Sequence, residues 1–325
     1  MTKPKIIAKD AQLQKKYEAM IASTVLLDLR LHRFGDKRRT DLDGVKMETV
    51  GDAGETTEVA VSEAAFQLSR RLLDLSVGRK LRQLMGAASD EVRRLSVPSF
   101  DRPGVYRLSY AAIEQVEAFL VQTTRDLEPL KAEFREAYDA EVQKMRALQH
   151  EKFHAKDYPS AWDAGERWGI DWTYLETATV PKALSGVNQF IYDRAMQEGR
   201  KRANKAVEAV EQTLRAGLLA CVVKMRKDLQ ATTPTGKPRA YRGDALAKVT
   251  EFFSTFPLRN FINDGVSGEA MTQITALLQN IPSADALDDE FLRKEVLDGL
   301  AGIADTVRPF VTEVAARAVI LPDGE

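Results

Sequence analysis

Between Ile113 and Phe134 a stripe of residues returns at intervals of three and four: Ile113, Val116, Leu120, Thr123, Leu127, Leu130 and Phe134. A 3-4-3-4 seam marks a helix that buries one face along its whole length against a helical partner. Past Phe134 the register slips, and Tyr138, Val142 and Met145 carry the stripe onward. The pattern predicts a helix from about Tyr110 to Lys156, kinked at Pro129. A second stripe, Leu184, Val187, Ile191 and Ala195, then Val207, Val210, Leu214, Leu218, Cys221 and Met225, predicts another from about Lys182 to Gln230. Its middle, QEGRKRANK (197–205), is nearly all polar. At 1.5 Å rise per residue each helix would span roughly 70 Å, far beyond ordinary globular length. The economical arrangement is an antiparallel, coiled-coil-like hairpin with residues 157–181 turning its corner.

The flanks are of other kinds. TVLLDLRLHRF (24–34) alternates, with Val25, Leu27, Leu29 and Leu31 on one side and Asp28, Arg30 and His32 on the other, so it reads as a half-buried strand. VKMETVGDAGETTEVAV (45–61) reads as two short strands about a Gly-containing turn. SEAAFQLSRRLLDL, capped by Ser62, and GRKLRQLMGAASDEVRRL read as helices, the latter broken near Gly86. SVPSFDRPGVYRLS is a proline-punctuated connection, and ATTPTGKPRAYRG (231–243) a linker. Helical segments are expected near 244–255, 267–280, 288–302 and 304–318. The fold class is therefore mainly α: an elongated antiparallel long-helix hairpin (105–231), a small N-terminal β element with helices (1–104), and a C-terminal helical bundle (243–325).

With 44% hydrophobic and 29% charged residues, the chain suits a folded protein rich in amphipathic helices and not a disordered one. The 47 basic and 48 acidic residues nearly cancel, so net charge recruits neither nucleic acid nor an anionic membrane. A lone cysteine, Cys221, excludes intrachain disulfides and CxxC metal sites and fits a reducing cytoplasm. The first twenty residues lack the apolar core of a secretory signal, and AGLLACVV (216–223) is too short to span a bilayer. The expectation is a cytoplasmic protein without a membrane partner.

One stretch carries a chemical motif. HEKFH, His150 to His154, is a literal match to H-E-x-x-H, which on a helix puts two zinc-binding imidazoles on one face with a glutamate, here Glu151, as the base. The surroundings oppose it. Lys152 and Lys156 flank the ligands where a buried zinc helix carries uncharged residues, and Asp157 and Ser160 occupy the places of the glycine and histidine of the extended motif. The leading reading is two solvated histidines on a charged helix end and no cofactor; a zinc-dependent hydrolase using His150, His154 and Glu151 is the alternative.

All three tryptophans, Trp162, Trp168 and Trp172, fall in eleven residues, with Tyr158 and Tyr174 beside them. They read as local core at the hairpin's tip or as a hot spot for a protein partner, with a base-stacking platform third. Basic clusters at Lys37–Arg39, at Arg79–Arg82 and at Arg200, Lys201, Arg202 and Lys205 read as solvated faces, or with the tryptophans as a nucleic-acid surface. TPTGKPRAY is not a phosphate-binding loop, because the upstream glycine is missing and Pro238 follows the lysine.

The succession of RFGDKRR, SVPSFDRPGVYRLSYAAIEQVEAFL, EFREAYDAEV, DYPSAW and ETATVPKAL, over about residues 20 to 300, resembles a domain-of-unknown-function family encoded by phages and mobile elements. Some relatives are encoded near MoxR-type AAA ATPases and von Willebrand A-type proteins, which implies an adaptor or assembly partner. The family has no catalytic signature, so no functional residue is carried over. The expected function is non-enzymatic: presenting helical surfaces to a protein partner or to copies of itself.

Overall fold

The computed structural model describes residues 3–35, 37–40, 46–50, 56–60, 68–100, 102–177, 186 and 188–312. Eight helices appear in order among them: α1 (Lys3–Ser23), α2 (Ser76–Leu95), α3 (Ile113–Gln149), α4 (Ala161–Glu166), α5 (Gln189–Gln230), α6 (Gly243–Arg259), α7 (Gly265–Gln279) and α8 (Glu290–Val307). The strands are β1 (Thr24–His32), β2 (Lys37–Thr40), β3 (Lys46–Val50), β4 (Thr56–Ala60), β5 (Leu68–Arg71), β6 (Ser96–Pro98), β7 (Val105–Ser109) and β8 (Gly169–Leu175). The protein is mainly helical with a small antiparallel sheet. No helix among the described residues is long and apolar enough to cross a membrane.

The chain forms two compact units, both discontinuous in sequence. Unit 1 takes 1–29, 89–117 and 172–325; unit 2 takes 30–88 and 118–171.

Unit 1 is organised by α5, 42 residues or about 63 Å long. From Ala203 onward its stripe is buried: Val207, Val210, Leu214, Leu218, Val222 and Met225 enter one core. Leu13 and Met20 of α1 join it, as do Phe253 and Phe256 of α6, Ile274 of α7, and Val296, Leu300 and Ile303 of α8. Side-chain caps start three of these helices, Asn188 doing so at α5 by accepting from the Ile191 amide. Asp264 accepts from the Ser267 amide at α7, and Asp289 from the Leu292 amide at α8. The sheet runs β6-β7-β1-β8, with β1 antiparallel to β7 (Thr24 opposite Ser109) and β6 antiparallel to β7 (Ser96 opposite Leu108). Gly104, at φ +80°, makes the turn before β7 and offers its carbonyl to the Leu29 amide at 3.0 Å. A side chain there would be strained and would meet that backbone at 3.4 Å.

Unit 2 is centred on aromatic side chains. Phe34 packs on Phe134 and Tyr138, and Phe134 on Trp168 edge-to-face, with centroids 5.9 to 6.2 Å apart. Leu72, Val77, Leu81 and Met85 are also buried in this unit, which holds the antiparallel pairs β2–β5 and β3–β4.

Several expectations are corrected. The core that buries α5 contains no residue of α3, whose seam residues Phe134 and Tyr138 are taken up by Phe34 and Trp168. Leu68–Arg71 is a strand, not helix, because it pairs residue for residue with β2; the Ser62 cap lies outside the described residues. α2 continues through Gly86 unbroken. The proline-rich connection holds β6 and β7, and the expected last helix reduces to the end of α8 and a 3₁₀ turn at Arg308–Phe310, with 313–318 outside the described residues.

Candidate functional site

HEKFH does not form the helical site its spacing suggests. α3 ends at Gln149, and His150 sits in the left-handed region at φ +45°. His150–Lys152 and Ala155–Asp157 are separate 3₁₀ turns, and His154 between them is extended at φ −118°, ψ 108°. Two imidazoles share a face at i and i+4 only while ~100° per residue is maintained, and here it is not. Local chemistry enforces the break. The Arg70 guanidinium donates to Gln149 Oε1 at 3.1 Å, to the Lys152 carbonyl and to Asp157. Gln149 Nε2 donates to Tyr158 Oη at 3.0 Å, and the Tyr158 ring stacks on Phe153 at 4.7 Å. His150, Glu151 and His154 all stand exposed. Among the described residues no group of three or more His, Cys, Asp or Glu is arranged to hold a metal ion.

The aromatic residues of the window differ in burial and in partners. In unit 2, Trp168 is core at 2% exposure, whereas Trp162 is 62% exposed with the Arg135 guanidinium 4.3 Å above its ring. Tyr158 is committed to the turn just described. In unit 1, Trp172 Nε1 and Tyr174 Oη both donate to Glu117 Oε2 at 2.8 Å. Burial, then the Glu117 hydrogen bond and charge, pushes the Tyr174 phenol far above its ordinary range, so it remains a neutral donor. The alternation of Trp172 and Tyr174 about Thr173 is the period-2 signature of β8, hidden in the sequence by the density of aromatics.

The basic residues Arg200, Lys201, Arg202 and Lys205 are exposed on α5. Lys201 pairs with Glu198 at 2.8 Å, and Lys201, Arg202 and Lys205 together hold the Glu198 carboxyl below the usual carboxylate range. The strip is ordinary solvated helix surface with one acid at its centre.

Sequence reading missed the folding of residues 231–243. Thr232 bridges Pro238, the Thr233 amide donates to the Lys237 carbonyl at 2.8 Å, and Gly236 turns at φ +80°. This ordered turn buries Tyr241 and walls a cleft of about 300 Å³ with Cys221, Asp228, Arg242 and Phe252. The Cys221 thiol is pushed up to about 12 by burial, so it is no nucleophile near neutrality. Lys237–Pro238 after a glycine supplied the signal, read as a linker because proline and glycine mark tight ordered turns equally well.

The chain matches no protein-family model, no curated protein and no solved structure.

Proposed function

We propose that the protein is a non-enzymatic interaction or assembly protein, acting in the phage or mobile-element setting that the sequence resemblance implies. One observation carries this reading. From Gln189 to Arg202 no residue of α5 is buried, although the same helix is buried on one face from Ala203 to Leu229. Phe190 is 74% and Ile191 41% exposed at its start. A helical section with no packed face draws little stability from propensity alone, and large apolar groups in water cost more than they return. A coiled-coil-like pairing of this section, with a second copy or a partner helix, resolves both. Trp162, exposed in unit 2, is a further anchor of the type interfaces favour. A role as adaptor to an AAA ATPase rests on the resemblance alone.

Sedimentation of the native chain at increasing concentration tests the reading. A mass above the 36.2 kDa monomer, lost in the Phe190→Ser, Ile191→Ser double variant, supports it. A monomer at every concentration whose 189–202 amides are nonetheless protected from exchange would sink it, because the chain itself would then cover the stripe. The alternative of nucleic-acid binding through Arg200, Lys201, Arg202 and Lys205 requires instead a salt-dependent gel shift abolished by replacing those four.

A further inference from the structure

The two most exposed large apolar side chains among the described residues are both phenylalanines, Phe291 at 78% and Phe190 at 74%. Phe190 lies in the first turn of α5 and Phe291 in the first turn of α8, both in unit 1. Aromatic groups left in water at a helix surface are the anchors that interfaces use. Their surroundings differ in sign.

Around Phe190 the field is positive. Residues 189–205 hold Arg194, Arg200, Lys201, Arg202 and Lys205 against Asp193 and Glu198, all exposed. Around Phe291 it is negative. Residues 285–298 hold six exposed acids, Asp285, Asp288, Asp289, Glu290, Glu295 and Asp298. Two bases oppose them, and one of these, Arg293, is 6% exposed and engaged inside the fold by the Arg239 carbonyl.

Within one copy the two patches cannot meet. α8 starts where α5 ends: Arg293 donates to the carbonyl of Arg239, whose amide donates at 2.9 Å to the carbonyl of Ala231, the residue after α5. The far end of α8 returns to the middle of α5, where Gln212 Nε2 donates to the Phe310 carbonyl at 3.0 Å. α8 therefore runs back along the second half of α5. The stretch from Phe190 to Gln230 is about 60 Å long, so one patch stands at each end of α5.

We propose that the acidic, Phe291-bearing end of one copy docks on the basic, Phe190-bearing start of α5 in a second copy, so that the chain assembles head to tail. This rests on the reading that residues 189–202 form an interface, and it names what covers them. Charge selects the occupant. Two basic patches face to face would set five cations against five, whereas the acidic end brings opposite charge and an aromatic anchor of its own. An interface between two different patches leaves one of each kind free at the ends of an open oligomer. Copies therefore add until a ring closes or a filament grows.

Two variants of the full chain, each disabling one end, test this. Phe190→Ser, Arg200→Gln, Arg202→Gln alters the basic end, and Asp288→Asn, Phe291→Ser, Glu295→Gln the acidic end. All six side chains are exposed and none caps a helix, so both variants should melt with the native chain. In sedimentation velocity the native chain is expected to form a ladder of species above 36.2 kDa. The ladder grows with concentration, and its association constant falls about tenfold from low to high salt. Each variant alone associates about a hundredfold more weakly and runs as a monomer. Their equimolar mixture gives a species of two chains and nothing larger, because each supplies the end the other lacks. Association kept in the acidic-end variant and lost in the basic-end one would mean that 189–202 pairs with itself, which overturns the head-to-tail arrangement and keeps the earlier reading. A native chain that stays monomeric at low salt, or a mixture no larger than its components, also overturns the proposal. Freely exchanging 189–202 amides in that monomer would leave those residues to a foreign helix, and protected ones would sink both readings.

Discussion

Replacing Asp264 is expected to be the most damaging single change in unit 1. The carboxylate is 2% exposed. It accepts from the Ser267 amide at 3.1 Å and the Ser267 hydroxyl at 2.7 Å, which caps α7, and from Arg215 Nε of α5 at 3.0 Å and Arg215 Nη2. Truncation to alanine removes a cap, worth about 1 kcal/mol, and strands a buried guanidinium, which alone costs about 3–5 kcal/mol. Glu211 remains 3.4 Å from Arg215, so the lower end applies and the total loss is about 4 kcal/mol. Asp264→Asn keeps an uncharged acceptor and loses about half as much. The pH dependence follows from the carboxyl's own titration. Burial raises it, but the Arg215 and Ser267 hydrogen bonds and the Arg215 charge outweigh burial and hold it below the usual carboxylate range. The unfolded chain, titrating near ~3.9, therefore takes up the proton first as pH falls. The stabilisation is complete above that value and disappears as pH drops through the folded pKa. Urea melts followed by circular dichroism, with hydrogen exchange of the α7 amides, measure both effects. A native-to-Asn difference that persists unchanged well below pH 3, or no loss in Asp264→Ala at neutral pH, would refute this account.

Three further outcomes are expected. Cys221, 7% exposed with its thiol pushed up to about 12, should resist a thiol reagent at pH 8 until the protein unfolds; full labelling of the native chain within minutes would contradict this. Zinc added to the purified protein should not be retained through gel filtration near one per chain, because His150 and His154 do not share a helix face; stoichiometric zinc lost in His150→Ala, His154→Ala would restore the metal reading. Trp172→Phe removes one of the two donors to Glu117 and should cost about 2 kcal/mol in thermal melts, and an unchanged melting temperature would show that water replaces the indole.

What the sequence disclosed depended on the range of the interactions involved. β1 was legible from its alternation, and the buried part of α5 and the helices α6, α7 and α8 from apolar spacing, since those patterns are written within one element. β5 was not: Leu68–Arg71 is strand only because β2 lies beside it, and nothing within FQLSRR records that partner. The end of α3 was missed for the same reason. No proline or glycine stops the helix at Gln149; Arg70, about eighty residues earlier, captures the Lys152 carbonyl and Asp157 and turns the chain. Within the aromatic window, one residue-type count cannot separate core Trp168 from exposed Trp162. Likewise, Lys37 and Arg79 read as separate solvated runs until the fold sets them around one cavity.

The discontinuity of the two units has a consequence for synthesis. All of unit 2 has been translated once Asp171 is made, whereas α1 waits for core partners that come later. α1 buries Leu13 and Met20 against a core supplied mainly by α5 to α8. At ribosomal rates of ~5–20 residues per second, the last turn of α5 follows α1 by about 10–40 s. During that interval α1 holds Leu13 and Met20 without their eventual neighbours, while unit 2 has every residue it needs to close, so translation order leaves this apolar face uncovered until α5 to α8 emerge.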